Sequence, residues 1–239
     1  MENSKNNYLR FISLSLKDYK VFGGLNDFQF NRHRTLIVGK GGTGKTIIAE
    51  ALEYLGHPRN PRYNLPMKDH VTSSIAVITK GNCELIDRYR SLIFLNRDSA
   101  ERLAAYDQEP IFKTLVPNSA WKSVMIETQK VFQKILSYKP WKIDLHRGLN
   151  VQVMAAGERI CLGYAFIFAV REALKLDIPV VFDSPYAMLD MELRNGLRNF
   201  LKAQPCQQIL LGHECEFSEV EIPKYILVYV EEHSHVMEF

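Results

Sequence analysis

Apolar and polar positions along this chain fall into runs that switch between a two-residue and a helical rhythm, and the switches predict the order of its elements. Lys17 to Phe30 and Arg34 to Val38 read as strands, rich in aromatic and β-branched residues and punctuated by a turn signal at Gly23, Gly24 and Asn26. From Thr46 to Leu55 the sequence TIIAEALEYL carries apolar residues at helical spacing, ended by Gly56, Pro58 and Pro61. Ser73 to Thr79 and Glu84 to Arg90, split by Lys80, Gly81 and Asn82, predict a hairpin, and Trp121 to Leu136 predicts an amphipathic helix. Glu158 to Leu174 is a long, apolar helix that must be buried on most sides. Val180 to Phe182 reads as a short buried strand ending in Asp183, followed by a helix over Leu189 to Lys202. Gln208 to Leu211 is another buried strand, ending at Gly212 and His213, and Tyr225 to Val230 pairs with a terminal strand near Val236. Strands alternating with helices predict an α/β fold: a mainly parallel sheet core with an antiparallel β side lobe and a small helical lobe.

Composition sets the outer limits. The chain has 239 residues, 46% apolar and 24% charged, which suits one globular domain with a real core and excludes a disordered or fibrous chain. Within it, an N-terminal lobe over about 1–110, a helical insert over about 111–150 and a C-terminal lobe over about 151–239 are expected. The longest apolar run, Cys161 to Val170, is far below the ~18 to 20 residues needed to cross a bilayer, so no membrane partner is expected. MENSKNNYLR does not read as a secretory signal, and the expected compartment is the cytoplasm. Cys83, Cys161, Cys206 and Cys215 lie far apart, framing neither a zinc site nor a disulfide scaffold. A net charge of +3 is too small to predict nucleic-acid binding by bulk electrostatics. Locally, Trp121 to Arg147 interleaves Lys122, Lys130, Lys134, Lys139, Lys142 and Arg147 with Trp121, Tyr138 and Trp141. Two readings stand for it: a nucleic-acid or partner surface, or a solvated helix face over core tryptophans.

Chemistry concentrates at the strand ends. Gly39, Lys40, Gly41, Gly42, Thr43, Gly44, Lys45 and Thr46 match GxxxxGK[ST] after a predicted strand and before a predicted helix. The glycines let several amide N–H groups face one point at a helix N-terminus, where Lys45 can reach the β- and γ-phosphates and Thr46 can hold Mg²⁺. Asp183, at the C-terminal end of its strand, can position the same ion or can serve as a structural cap. Met154-Ala-Ala-Gly-Glu-Arg opens the long helix with exposed amides suited to an anion, or with a plain cap in which Glu158 complements the dipole. His213 ends the next buried strand, where an imidazole can meet a terminal phosphate or serve structurally.

The order of these pieces resembles the ABC-type ATPase heads of the SMC, RecF and SbcC group. LSLKDYKVFGGLNDFQF looks like that group's opening strands and GKGGTGKTIIAEAL like its Walker A loop and helix. MAAGERICLGYAFIFAV looks like the signature motif, FDSPYAMLD like Walker B plus D-loop, and ILLGH like the switch histidine. The resemblance implies a P-loop NTPase head that binds ATP and Mg²⁺ through residues 39–46 and Asp183, with Lys20 near the nucleotide. It also implies that Ala155, Ala156, Gly157, Glu158 and Asp190 face the nucleotide of a second head, most simply an identical chain. The catalytic positions would be Asp183, Ser184 and His213.

Two residues depart from the group's pattern. Ala155 stands where a signature serine is usual, and Ser184 where a catalytic glutamate is usual. Serine cannot act as a carboxylate base, help typically worth ~10² to 10⁴ in rate. The DSP form resembles the DndD-containing subgroup, and the Q-loop candidates are Gln108, Gln129 and Gln133. The stretch between Thr46 and Met154 is too short for the coiled-coil arm of SMC proteins. Three functions follow: a slow ATPase in a DNA maintenance or anti-phage complex with an effector or nuclease, a non-hydrolysing nucleotide-gated module regulating such a partner, and, disfavoured by the altered signature, a transporter subunit.

Overall fold

Alternation of buried and exposed positions over Leu9–Lys17 changes parity at Ile12, and the sheet accommodates it with a β-bulge. In the computed structural model, which describes residues 7–54, 74–96, 99–100, 116, 118–137, 154–217 and 221–238, strand β1 (Leu9–Lys17) buries Leu9 and Phe11, then Leu14 and Leu16. It pairs antiparallel with β2 (Leu25–Gln29) and β4 (Ser74–Gly81), and its register against β4 shifts between Phe11 and Ser13. The extra residue lets both halves of the strand face the core, since a uniform register would turn one half outward. The buried Gln207 amide satisfies the backbone here: its Oε1 accepts from Phe11 N–H at 2.9 Å, and its Nε2 donates to Phe11 O at 2.8 Å and Asn31 O at 2.9 Å.

The chain forms two compact units. The first comprises Met1–Leu95, Asp177–Pro185 and Cys206–Phe239. Besides the three-stranded sheet it carries the strands of a six-stranded one, ordered β5 (Phe94–Asn96), β6 (Val180–Asp183), β7 (Gln208–Gly212), β3 (Arg34–Gly39), β8 (Tyr225–Val230) and β9 (His233–Glu238). Pairs β6–β7, β7–β3 and β3–β8 are parallel and β8–β9 is antiparallel. The near-continuous apolar stretches Leu36–Val38, Val180–Phe182 and Ile209–Leu211 are buried, as strands covered on both faces require. Helix α1 (Lys45–Tyr54) lies against β3, β6 and β7 with Lys45, Ile48, Ala51 and Leu52 buried, a stripe at helical spacing. Parallel strands end on one side, so Gly39, Asp183 and Gly212 come out together, the place where open α/β sheets bind ligands.

The predicted hairpin is corrected. Residues Glu84–Arg88 and Arg90–Ile93 form two short helices, α2 and α3, and the partner of β4 is β1. Buried Leu85, Ile86, Tyr89, Leu92 and Ile93 repeat at helical spacing, and the Asn82 side chain accepts the Glu84 N–H at 3.0 Å to start the turn. The first predicted strand, Lys17 to Phe30, is also corrected: the chain turns over Asp18–Gly24, only Leu25–Gln29 of that stretch forms a strand of its own, and β1 lies upstream, sharing only Lys17 with it. The predicted helix end at Leu55 to Pro61, Ser73, the Q-loop candidate Gln108, and the basic and aromatic positions Tyr138, Lys139, Trp141, Lys142 and Arg147 lie outside the described residues.

The second unit, Asn96–Leu176 with Tyr186–Pro205, packs three helices against one another: α4 (Asn118–Ile135), α5 (Ala156–Ala173) and α6 (Met191–Lys202). Helix α5 is buried around almost its whole surface, as its sequence predicts. Trp121 meets Phe166 edge-on at 6.0 Å, and Phe168 meets Phe200 at 5.1 Å. Lys122, Lys130 and Lys134 stand on the exposed face of α4, as either reading of that stretch requires, and Trp121 is half-buried. Among the described residues no helix is long and apolar enough to cross a membrane, and no cluster of metal-ligating side chains occurs.

All four cysteines are free; Cys83 and Cys215 are exposed, Cys161 and Cys206 buried. Burial, then the charges of Asp190 and Glu158, pushes the Cys161 thiol well above the ordinary thiol range. Because the thiolate is the nucleophile, a maleimide at pH 8 should label Cys83 and Cys215 within minutes and Cys161 only after unfolding. Mass-mapped labelling of native protein checks this, and rapid modification of Cys161 would contradict the packing around α5.

Candidate functional site

Between β3 and α1 the chain turns through Lys40–Gly44, and Gly42, Thr43 and Gly44 each have a physical reason. Gly42 and Gly44 have φ of +79° and +94°, where side chains are strained. A Cβ at Gly44 would also lie 2.8 Å from the Phe22 ring and 2.9 Å from Val21, so the β1–β2 turn presses against the loop's backbone. Thr43 braces the curl, its hydroxyl donating to Lys40 O at 2.9 Å.

Lys45 and Thr46, the first residues of α1, point two ways. The Lys45 ammonium, on a residue only 7% exposed, donates to Gly39 O and Lys40 O at 2.7 Å each. Burial lowers its pKa, while the carboxylates of Asp183 and Glu216 pull it back up. The exposed Thr46 hydroxyl donates to Asp183 Oδ2 at 2.7 Å. Hydroxyl and carboxylate oxygens are the hard donors that Mg²⁺ takes, so Thr46 and Asp183 are the residues that could hold the ion.

The neighbouring strand ends add three groups. Ser184 follows β6 with φ of +55°, in the left-handed region, and its N–H donates to Leu211 O at 2.7 Å. Its side chain brings a hydroxyl where a carboxylate would be needed for base chemistry. His213 follows β7, close enough to the loop that a Cβ on Gly41 would lie 3.9 Å from its Cε1. Its backbone N–H donates to Glu216 Oε1 at 3.0 Å, closing a short 3₁₀ turn over Glu214–Glu216. Glu216, buried at the end of that turn, is not singled out by the sequence, where its one signal is the His-x-x-Glu spacing of a capping turn. Lys20, φ +55°, ion-pairs with Glu50 of α1 and sits 5.6 Å over the Tyr19 ring.

The remaining predicted site residues belong to the second unit. Ala155 and Ala156 are exposed at the start of α5, and the buried Glu158 accepts the Ala155 N–H at 3.0 Å, the cap anticipated as one of two readings. Gly157 has a packing reason: a Cβ there would meet Leu193 at 2.9 Å and Leu189 at 3.3 Å. Asp190 caps α6, accepting the Leu193 N–H at 2.9 Å. Gln129 and Gln133 lie on α4, where the Gln133 amide donates to Leu136 O at 3.1 Å.

A glycine loop between a parallel strand and a helix, a Lys-Thr pair at the helix start and an Asp at the next strand end but one define a P-loop NTPase. The fold is similar to that of solved SMC head domains. The SMC head domain from Thermotoga maritima superposes with a TM-score of 0.66 at 17% identity, covering 96% of this chain and 99% of that one. An Smc head bound to the C-winged helix domain of ScpA gives 0.63 at 13% identity, covering 96% and 97%. The Smc head of Pyrococcus furiosus with an extended coiled coil, bound to the C-terminal domain of ScpA, gives 0.62 at 12%, covering 97% and 96%. No curated protein matches the chain. The family model of the AAA domain matches residues 13–144, more than half of the sequence, and the chain belongs to that family of ATPase domains.

Proposed function

We propose that the chain binds Mg-ATP in the β3–α1 loop and that the nucleotide then joins two heads. The observation that carries this is the Thr46–Asp183 hydrogen bond beside a buried Lys45 that caps only its own loop. Backbone N–H groups of the loop and the N-terminus of α1 face the phosphates, Lys45 turns from carbonyl to phosphate oxygens, and Thr46 with Asp183 holds the ion, whose charge would neutralise that of the phosphates. Lys20 is near enough to α1 to border the nucleoside end. In a dimer, Ala155 to Glu158 and Asp190 of the second copy close over the terminal phosphate, presenting backbone N–H groups where Ala155 has no hydroxyl to offer.

Hydrolysis in this reading is slow. His213 orients water beside Gly41, and Ser184 contributes no base. The same residues favour a second reading, a module that binds ATP without turning it over and gates an effector or nuclease in a DNA-maintenance or defence complex. The likeness to heads that bind ScpA domains supports a protein partner of either version. Titration calorimetry of Mg-ATP into the purified chain should give saturable heat, and light scattering should show the mass doubling with ATP but not ADP. Absence of heat would overturn nucleotide binding. Multiple turnovers of phosphate release select the first reading; bound, unhydrolysed ATP after hours selects the second.

A further inference from the structure

Gly41, Gly42 and Gly44 give the turn over Lys40–Gly44 wide backbone freedom, and a loop that only its ligand orders binds more weakly by the cost of that ordering. Inside the loop, Thr43 holds Lys40 O. The Lys45 bonds to Gly39 O and Lys40 O are the ones a phosphate would take over, so they cannot keep the curl once a ligand arrives. Gly44 is held from outside. Cε2 and Cζ of Phe22 lie 2.8 and 2.9 Å from where its Cβ would stand, so the ring lies against its backbone. Phe22 is 1% exposed and meets Phe28 edge-on at 6.2 Å, and Phe28 meets Tyr225 at 5.3 Å. The turn that carries Phe22 is tied down in its turn. Phe22 N–H donates to Tyr19 O at 2.9 Å, and Ser234 N–H of β9 donates to Val21 O at 2.7 Å. The Asn26 amide donates to Gly23 O at 3.0 Å and accepts Val236 N–H at 2.9 Å. Behind Gly23 stands the His233 ring, whose Cγ would lie 2.7 Å from a Cβ there. The turn is wedged between β9 and the loop.

We infer that Phe22 is a positioning residue of the phosphate loop: its ring, backed by β9, fixes Gly44 so that the loop keeps its anion-binding curl when Lys45 leaves its carbonyls for a phosphate. Phe22 acts through Gly44 and is too deeply buried to touch a nucleotide itself. This rests on the nucleotide-binding reading above and deepens it by naming what preorganises the site. A core aromatic without this role contributes stability alone, and the affinity of a protein that is almost wholly folded does not depend on how stable it is.

The test is Phe22→Leu, which withdraws the ring edge from Gly44, measured beside Phe11→Leu. Phe11 is 0% exposed, and its N–H and C=O are held by Gln207 just before β7, at the end of that strand opposite Gly212 and the loop. Both substitutions should lower the melting temperature by roughly 2–8 °C. Mg-ATPγS titrated into the full chain should bind Phe22→Leu about five- to thirtyfold more weakly than wild type, the worth of one residue's restored backbone freedom. Phe11→Leu should stay within about twofold of wild type. Magnesium tripolyphosphate, which has no nucleoside, should lose affinity for Phe22→Leu by the same factor as Mg-ATPγS. Binding by Phe22→Leu within about twofold of wild type, an equal loss in Phe11→Leu, or a loss confined to Mg-ATPγS overturns the inference while leaving nucleotide binding intact. A silent wild-type titration overturns both. If Phe22→Leu does not fold, Phe22→Met, which keeps much of the volume and gives up the flat ring, takes its place. Binding by that variant within about twofold of wild type again sinks the inference.

Discussion

Lys45→Ala should lower the affinity for Mg-ATP by about 10² to 10³ while leaving the melting temperature of the nucleotide-free protein nearly unchanged. The first half follows from the strength of charge-assisted hydrogen bonds to phosphate, roughly 1.5–3 kcal/mol each. Losing one or two of them costs about 3–4 kcal/mol, the stated factor. The second half follows from two opposing changes in the free protein. Alanine leaves Gly39 O and Lys40 O without the donors they now have at 2.7 Å, but it also removes a largely buried ammonium whose pKa burial already depresses. A ligand at 100 times its dissociation constant stabilises by about 2.7 kcal/mol. In a chain of this size that raises the melting temperature by about 5–10 °C. Wild type should show that shift with Mg-ATP, and Lys45→Ala should show no more than about 1–2 °C at the same concentration. Equal shifts in the two proteins would mean that the nucleotide, if bound, sits elsewhere.

The features legible in the sequence are those whose physics is local. A glycine loop that needs positive φ, a lysine and threonine at a helix start, and apolar strands ending in Asp183 and His213 are fixed by neighbours in the chain, and each stands where its spacing puts it. Strand β1 was obscured because the bulge at Ile12 breaks the alternation on which the reading depends. Helices α2 and α3 read as a strand in the sequence because Glu84–Arg90 is short and follows a turn signal; the helical stripe becomes visible only when Leu92 and Ile93 are counted with Leu85, Ile86 and Tyr89. Gly157 illustrates a subtler difficulty. A small residue at a helix start suits an anion, and it equally suits the approach of Leu193 and Leu189 from α6. One residue type answers both demands, so the pattern alone does not separate them. Glu216 was invisible for the opposite reason: its spacing from His213 is that of an ordinary cap, and its burial and unpartnered Oε2 emerge only in the fold.

Gly196→Ala should destabilise the protein, although the same change in an exposed helix stabilises it by roughly 1 kcal/mol. Gly196 lies in the interior of α6, where glycine costs backbone entropy and needs a reason. The reason is the end of α4: a Cβ at Gly196 would overlap the carbonyl oxygen of Ile135 and stand 3.0 Å from its carbonyl carbon and 3.3 Å from its Cα. Those are backbone atoms, so no rotamer change relieves the contact; the helices must move apart. Overpacking of this kind costs typically 1–3 kcal/mol, sometimes more. The steric cost exceeds the propensity gain, leaving a net loss of about 1–2 kcal/mol for alanine. Valine adds two methyl groups to the same overlap and lacks the propensity gain, so about 3 kcal/mol or more is expected. With about 2–4 °C per kcal/mol at this chain length, the melting temperature should fall by roughly 2–8 °C for Gly196→Ala and by at least about 6 °C for Gly196→Val. Gly24→Ala is the internal contrast, since φ there is +66° but no atom lies within 4 Å of the added Cβ, and only backbone strain of about 1 kcal/mol is at stake. A rise in melting temperature for Gly196→Ala would show that α6 does not approach α4 as closely as this packing requires.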